Sequence, residues 1–272
     1  MSCPHCGSNR ITNLQRTTAL GYAVFYCKDC QRTFNERTGT PFNFIEVPTD
    51  IVFQVLLCRF RYKLSYREVA EFFLVRGFEF THETVRDWEE RFAPIFADDL
   101  RAKRKGKVGN IWHVDETYIR VQGRWCYLYR AIDQDGSLVD SRLSETRDMA
   151  AAKAFFQQAY EVADVPPERV FTDGHNSYSR AIKEELGTDV KHAVIPCLGN
   201  PIEQSHRGIK QRYYPTLGFG AVESAQRFCQ AYEEVHHFFR PRQRMAEYVS
   251  LSDRRDHFLK RVDELHAIFE AA

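Results

Sequence analysis

The chain lacks an excess of charge of either sign: 38 Lys and Arg stand against 37 Asp and Glu, for a formal net charge of +1. Total charge therefore does not point to a nucleic-acid partner, and any such case must rest on where the charges lie. The chain also lacks a long apolar run. No stretch approaches the roughly 20 residues of a membrane-spanning helix, and the N-terminus carries no apolar core of the kind a secretory leader needs. Both absences lead to the expectation of a cytoplasmic protein with no membrane role. Disulfide frameworks are rare in that compartment, so the eight cysteines are expected to serve another purpose.

What is present is ordinary globular composition, 43% hydrophobic and 28% charged over 272 residues. That length suits one large domain or two to three small ones. Four of the cysteines fall in two pairs, Cys3-Pro-His-Cys6 and Cys27-Lys-Asp-Cys30. Each pair offers two thiolates from one tight turn. Together they make a tetrahedral set of four sulfurs, each about 2.3 Å from a zinc ion. A redox motif would use one such pair, not two. Residues 1–44 therefore read as a zinc ribbon with a closed, structural zinc held by Cys3, Cys6, Cys27 and Cys30.

Residues 45–107 read as helices. Ile51–Tyr62 is apolar with polar breaks. Ser65 with Glu68 three residues on is a capping box for a second helix, which Gly77 ends. Thr81 caps a third helix leading into Trp88 and Phe92. A helix, a short turn with Gly and a further helix form the helix-turn-helix layout. The recognition helix then begins near His82, with Glu83, Arg86 and Arg91 as its polar residues. The alternative is a helical hairpin that only packs. Arg101–Lys107 has five basic residues and no acid. It reads equally as a solvated linker or as a basic connector beside DNA-binding modules.

Residues 108–240 alternate between strand and helix patterns. Ile111–Val121, IWHVDETYIRV, is rich in β-branched and aromatic residues and has no Pro or Gly, the mark of a strand. Strands over Arg124–Ile132 and Leu138–Leu143 follow, the latter pair joined at Asp135-Gly136, a strong hairpin signal. Then come a helix over Asp148–Val162, a strand over Val170–Asp173, a helix over Tyr178–Leu186, a strand over Val190–Cys197, and a helix capped by Asn200 with Pro201 at its first position. Three antiparallel strands followed by helix, strand, helix, strand and helix match the ribonuclease H-like α/β fold. Residues 241–272 are rich in charge and end in a helix.

Three carboxylates on three separate elements suggest one shared site. Asp115 lies mid-strand, where an unpaired buried carboxylate is costly. Asp173 ends a short strand before Gly174. Glu203 opens the last helix. Each has an ordinary explanation: a pair of Asp115 with Arg120 or Arg130, a plain turn at Asp173-Gly174, and a capping Glu203. Fallback candidates are Glu116 for Asp115, and Glu184 or Glu185 for Glu203. Two carboxylates about 4 Å apart repel by about 4 kcal/mol at an effective dielectric of 20, so a shared site calls for cations. Oxygen ligands favour magnesium or manganese, and two such ions can act on a phosphodiester. On the same helix, Arg207 and Lys210 follow Glu203 by four and seven residues, placed to meet DNA phosphate. The ordinary alternative is a surface pair between Glu203 and Arg207.

At these residues the chain resembles a DDE transposase of the insertion-sequence-six family. The matching stretches are WHVDETYIRVQGRWCYLYRAID, FTDGHNSY and NPIEQSHRGIKQRYYPTLGFG, and LSYREVAEFFLVRGFEFTHETVRDWEERF is similar to that family's helix-turn-helix. The resemblance implies metal-dependent cleavage and transfer of DNA strands, with Asp115, Asp173 and Glu203 as the acidic triad and two magnesium or manganese ions as cofactors. It further implies binding of element ends and target DNA, and Lys210 matches that family's basic residue after the Glu. His82 and Arg86 on the recognition helix and Arg207 beside Lys210 are the other expected DNA contacts, and a homodimer or higher homo-oligomer associated with the nucleoid is the expected form. Two alternatives remain at this stage: a catalytically silent DNA-binding regulator, and a plain ribonuclease H-like nuclease.

Overall fold

A computed structural model describes residues 1–195, 201–240 and 249–272. The chain begins with a small antiparallel sheet in the order β1-β2-β3, formed by β1 (Ile11–Thr17), β2 (Ala23–Cys27) and β3 (Thr33–Phe34). Its buried centre is only Cys3, Cys27 and Phe34. So little apolar burial does not hold a fold unaided, and the cysteines must supply the rest.

Three helices follow: α1 (Thr49–Arg61), α2 (Tyr66–Leu74) and α3 (His82–Arg104). The capping box at α2 is complete, since Ser65 Oγ accepts from the Glu68 amide and the Glu68 carboxylate accepts from the Ser65 amide. Gly77 turns the chain at φ +84°, a value glycine adopts without strain. Thr81 then caps α3 through the Thr84 amide at 3.2 Å. A buried ion pair joins the three helices: Arg59 of α1 donates to Glu89 of α3 at 2.8 Å, and Tyr66 of α2 donates to the same carboxylate at 2.7 Å.

The basic run after position 100 divides: Lys103, Lys105 and Lys107 are exposed, while Arg101 and Arg104 pack into the fold. Arg101 and Arg104 lie in the last turn of α3, and Arg104 is only 6% exposed. A helix C-terminus favours cations, and two acids from distant elements complete the site. Arg104 pairs with Glu234 at 2.6 Å and Asp140 at 3.3 Å, while Arg101 pairs with Asp140 at 2.9 Å.

The main sheet has five strands: β4 (Ile111–Val121), β5 (Arg124–Asp133), β6 (Leu138–Ser144), β7 (Arg169–Thr172) and β8 (Lys191–Val194). Their spatial order is β6-β5-β4-β7-β8. The first three are antiparallel, and β7 and β8 run parallel to β4. This is the ribonuclease H-like arrangement expected from the sequence. Helices α4 (Met149–Ala163), α5 (Asn176–Glu185), α6 (Pro201–Tyr213), α7 (Val222–Phe238) and α8 (Leu251–Glu270) complete the chain. The expected end of the fifth strand at Cys197 and the Asn200 cap lie outside the described residues.

The alternation of side chains along β4 divides the core. Trp112 and Val114 join Tyr129, Phe155, Phe156 and Ile182 on the α4–α5 side. Ile119 and Val121 join Leu128, Ile209 and Phe228 on the other. That second core continues without a break into α1, α2, α3 and the end of α8, where Phe269 stacks among Phe42, Phe92 and Phe96. No helix of the described residues is long and apolar enough to cross a membrane.

Candidate active site

The N-terminal cysteines converge as their spacing requires. Cys3 Sγ lies 3.6 Å from Cys30 Sγ, and Cys6 Sγ lies 3.6 Å from Cys27 Sγ. Sulfurs at tetrahedral corners about 2.3 Å from a metal are about 3.8 Å apart, so the set fits such an ion. The four thiols share their charge unevenly: a hydrogen bond from the Cys30 amide holds the Cys27 thiol down, while the Cys6 and Cys30 thiols are pushed up. Among the described residues, this is the sole group of three or more Cys, His, Asp or Glu whose ligand atoms all lie within 4.8 Å of one another.

Asp115 and Asp173 sit on neighbouring parallel strands. The β4–β7 register pairs His113 with Phe171, whose rings stack at 5.1 Å. Asp115 and Asp173 each follow that pair by two residues, so both lie where β7 runs out beside the middle of β4. Asp173 is set by its turn. Its Oδ1 accepts from the His175 amide at 3.0 Å, and the Gly174 amide donates to Thr172 Oγ1 at 3.1 Å. Gly174 holds φ +89°, and a Cβ there would come within 2.8 Å of Val194 Cγ1. Both acids stay partly open to solvent, with side chains 17% and 20% exposed.

Glu203 comes from α6. That helix buries Ile202, His206, Ile209 and Tyr213, one stripe of period 3.6. Gly208 lets it run close to α7, because a Cβ there would strike the Tyr232 hydroxyl. Glu203, Arg207 and Lys210 form the adjacent stripe, about 100° around the axis. Glu203 and Arg207 are exposed, and Lys210 is half-buried. One turn beyond Glu203, His206 touches Asp115, with Nε2 3.1 Å from Oδ2. Burial pushes the His206 imidazole below its ordinary range. Helix α6 is thereby docked on β4, with Glu203 in its first turn, one turn before the His206 that touches Asp115. The three acids are not among the described residues whose ligand atoms lie at metal-binding spacing.

Neither Arg120 nor Arg130 is the partner of Asp115. Arg130 bonds Glu233 at 2.7 Å, and Arg120 donates to the Gly123 carbonyl. The cation that does reach the acids is Arg147, which bonds Asp173 at 3.1 Å and also pairs with Glu116. Glu116 lies on the opposite face of β4 from Asp115, and it accepts a hydrogen bond from the Tyr178 hydroxyl. Burial holds its carboxyl above the ordinary range. Of the other fallback acids, Glu184 is occupied by Lys153 and Arg180 on the surface of α5. Sequence reasoning missed Arg147 altogether. It lies between elements, and nothing local marks it.

On α3, His82 and Arg86 occupy the first turns. Both bond Glu83, at 3.0 Å and 2.6 Å. Arg86 is exposed and His82 half-exposed. Arg91 is turned back onto the Asn43 carbonyl at 2.9 Å.

The IS240-type family described as a DDE domain matches residues 109–242, the stretch that holds all three acids. With the five-stranded sheet, this defines the chain as a DDE-type DNA transposase. Two transposases of Staphylococcus aureus, that of the insertion sequence-like element IS431mec (strain N315) and that of IS257 in transposon Tn4003, are each 31% identical over 216 residues. Those alignments cover 78% of this chain and 94% of the relative. The chain belongs to the insertion-sequence-six family of DDE transposases. Among solved structures, the HTLV-2 integrase catalytic core in complex with magnesium (dimeric form) is 17% identical, over 47% of this chain and 86% of that one, with a TM-score of 0.34. The catalytic core of BIV integrase is 12% identical, over 56% and 95%, with a TM-score of 0.36.

Proposed function

We propose that this transposase binds the ends of its insertion sequence and catalyses metal-dependent cleavage of a DNA strand and its transfer into target DNA. The observation that supports the reading is the docking of α6 on β4: His206 bonds Asp115, Glu203 lies one turn before it on the same helix, and Asp173 follows the strand paired with β4. The donor set is all oxygen, which suits magnesium or manganese. Arg147 on Asp173 marks this edge as one that draws a cation. Asp115, Asp173 and Glu203 would hold two such ions, whose chemistry is to sharpen a water or 3′-hydroxyl as nucleophile and to stabilise the leaving oxygen.

The residues of the chain do the rest. The turn at Gly174 orients Asp173, and His206 orients Asp115. Arg207 and Lys210, on the stripe of Glu203, hold the backbone phosphates on either side of the scissile one. His82 and Arg86 exchange Glu83 for DNA at the element end, in the manner of a recognition helix. Cys3, Cys6, Cys27 and Cys30 hold a structural zinc that folds residues 1–44. The organisation that goes with this reading is a zinc ribbon over 1–44, a helix-turn-helix segment over 45–107, a catalytic domain over 108–240 and a helical tail over 241–272. The working form is a homodimer or higher homo-oligomer on nucleoid DNA.

The test is incubation of the full chain with its own element's terminal DNA and magnesium. Nicked ends and strand-transfer products are expected, and their absence in the presence of specific end binding would favour a silent regulator.

A further inference from the structure

The side chains behind Asp115 form a line that runs from the acids into the interior. Asp115 faces Arg130 in the β4–β5 register, but the imidazole of His206 stands between them. Its Nε2 is 3.1 Å from Asp115 Oδ2, and its Nδ1 is 3.2 Å from Arg130 Nη1. Arg130 in turn donates through Nη2 to Glu233 Oε2 at 2.7 Å and to Ser205 Oγ at 3.0 Å. The side chains of His206, Arg130 and Glu233 are 5%, 3% and 2% exposed.

The chemistry of the guanidinium decides how this line is wired. Arginine has donors and no acceptor, so the His206 Nδ1 it faces must accept. The one ring proton is then on Nε2, directed at Asp115 Oδ2. A proton on Nδ1 would point at an N–H group with no acceptor. Glu233 and Ser205 fix Arg130, Arg130 fixes the tautomer, and the tautomer makes His206 a donor to Asp115.

We propose that His206, backed by Arg130 and Glu233, is a positioning residue for Asp115: it occupies one carboxylate oxygen with a fixed donor and turns the other toward the ion site. The proposal rests on the two-ion reading above. Partners of this kind orient metal-binding carboxylates, and their loss costs about 10- to 100-fold in metal affinity or activity. Here the same bond has a second effect. His206 and Glu203 are one turn apart on α6, so the bond to Asp115 also sets the distance between two acids that belong to different elements.

The test uses the full chain and manganese(II) as the probe, with free ion followed by electron spin resonance. In His206→Gln, the amide nitrogen reaches the place of Nε2 and can still donate to Asp115. In His206→Asn, it reaches only the place of Nδ1. We expect His206→Gln to bind manganese within about threefold of wild type and His206→Asn to bind about 10- to 100-fold more weakly. A nitrogen-15 spectrum of the ring, assigned by the signal missing in His206→Gln, should show the Nε2–H tautomer in wild type. Wild-type affinity in His206→Asn, or an Nδ1–H tautomer, would overturn the proposal. Failure of wild type itself to bind manganese would overturn the two-ion reading instead, and the spectrum, which needs no metal, separates the two failures.

Discussion

Arg104 and Glu234, 130 positions apart in sequence, face each other with two parallel bonds: Nε to Oε2 at 2.8 Å and Nη2 to Oε1 at 2.6 Å. Both side chains are almost fully buried, and Asp140 stands beside them. Removing one partner leaves an uncompensated buried charge, which typically costs 3–5 kcal/mol, whereas replacing a buried pair together is often far milder. Arg104→Met should therefore lower the unfolding free energy by about 3–5 kcal/mol, and Glu234→Leu in the same chain should recover part of the loss. Denaturant unfolding of the two variants checks the sign.

Asp115→Asn, Asp173→Asn and Glu203→Gln each keep shape and remove charge. Each should reduce strand cleavage and transfer by at least about 10³-fold, the equivalent of roughly 4 kcal/mol, while binding of the element end persists. Cleavage by one of these variants at the wild-type rate would take that residue out of the site.

Glu116 should reveal itself through pH. Burial raises its folded pKa above the ordinary carboxylate value, so the native state binds more protons than the unfolded chain between the two values. Its contribution to stability is then fully present below the unfolded value and declines as pH rises through the folded one. Glu116→Gln stays neutral at every pH. The unfolding free energy of Glu116→Gln relative to wild type should rise as the pH is raised from about 4 to neutrality. A flat difference would contradict the raised value.

Purified protein should contain one zinc per chain, held by Cys3, Cys6, Cys27 and Cys30. Cys27→Ser should release it, unfold the small sheet and weaken end binding. Metal analysis that finds no zinc in protein with normal end binding would remove the ribbon from the DNA-binding apparatus.

Lys210 lies roughly 10 Å along the helix axis from Glu203. Lys210→Ala should weaken complexes with the cleavage site, and the slope of log affinity against log salt should fall by about 0.9, one phosphate contact. Manganese affinity should hardly change. Parallel slopes with equal activity would make Lys210 a plain surface residue.

Local pattern was enough where the physics is local. The bounds of β4 follow from its unbroken β-branched and aromatic run, and the capping boundary of α2 from the Ser65–Glu68 pair. The alternation along β4 also holds the information that Glu116 faces away from Asp115, which demotes it as a substitute. What the sequence concealed was long-range. Arg101 and Arg104 read as part of a linker because their acids, Asp140 and Glu234, arrive from other elements. His206 stands one turn past Glu203 on α6. Its place in the buried stripe with Ile202, Ile209 and Tyr213 is the signal that it serves a neighbour rather than solvent.

Helix α3 begins at His82 and ends at the buried Arg104. Its 23 residues span roughly 34 Å, about ten base-pair steps of B-form DNA. One end carries the proposed reader of the element terminus, and the other is bolted to the sheet that carries the acids. Pro94 lies inside the helix and has no amide to close the backbone bond of that turn, the usual place for a helix to bend, so on the proposed reading the interval between the sequence read and the phosphodiester cut is set by two rods and the angle between them. A single residue inserted between Trp88 and Arg101 would turn one end against the other by about 100° and would rotate Phe92, Phe96 and Leu100 out of the core they fill, so the length of this helix is held by packing as well as by its two ends.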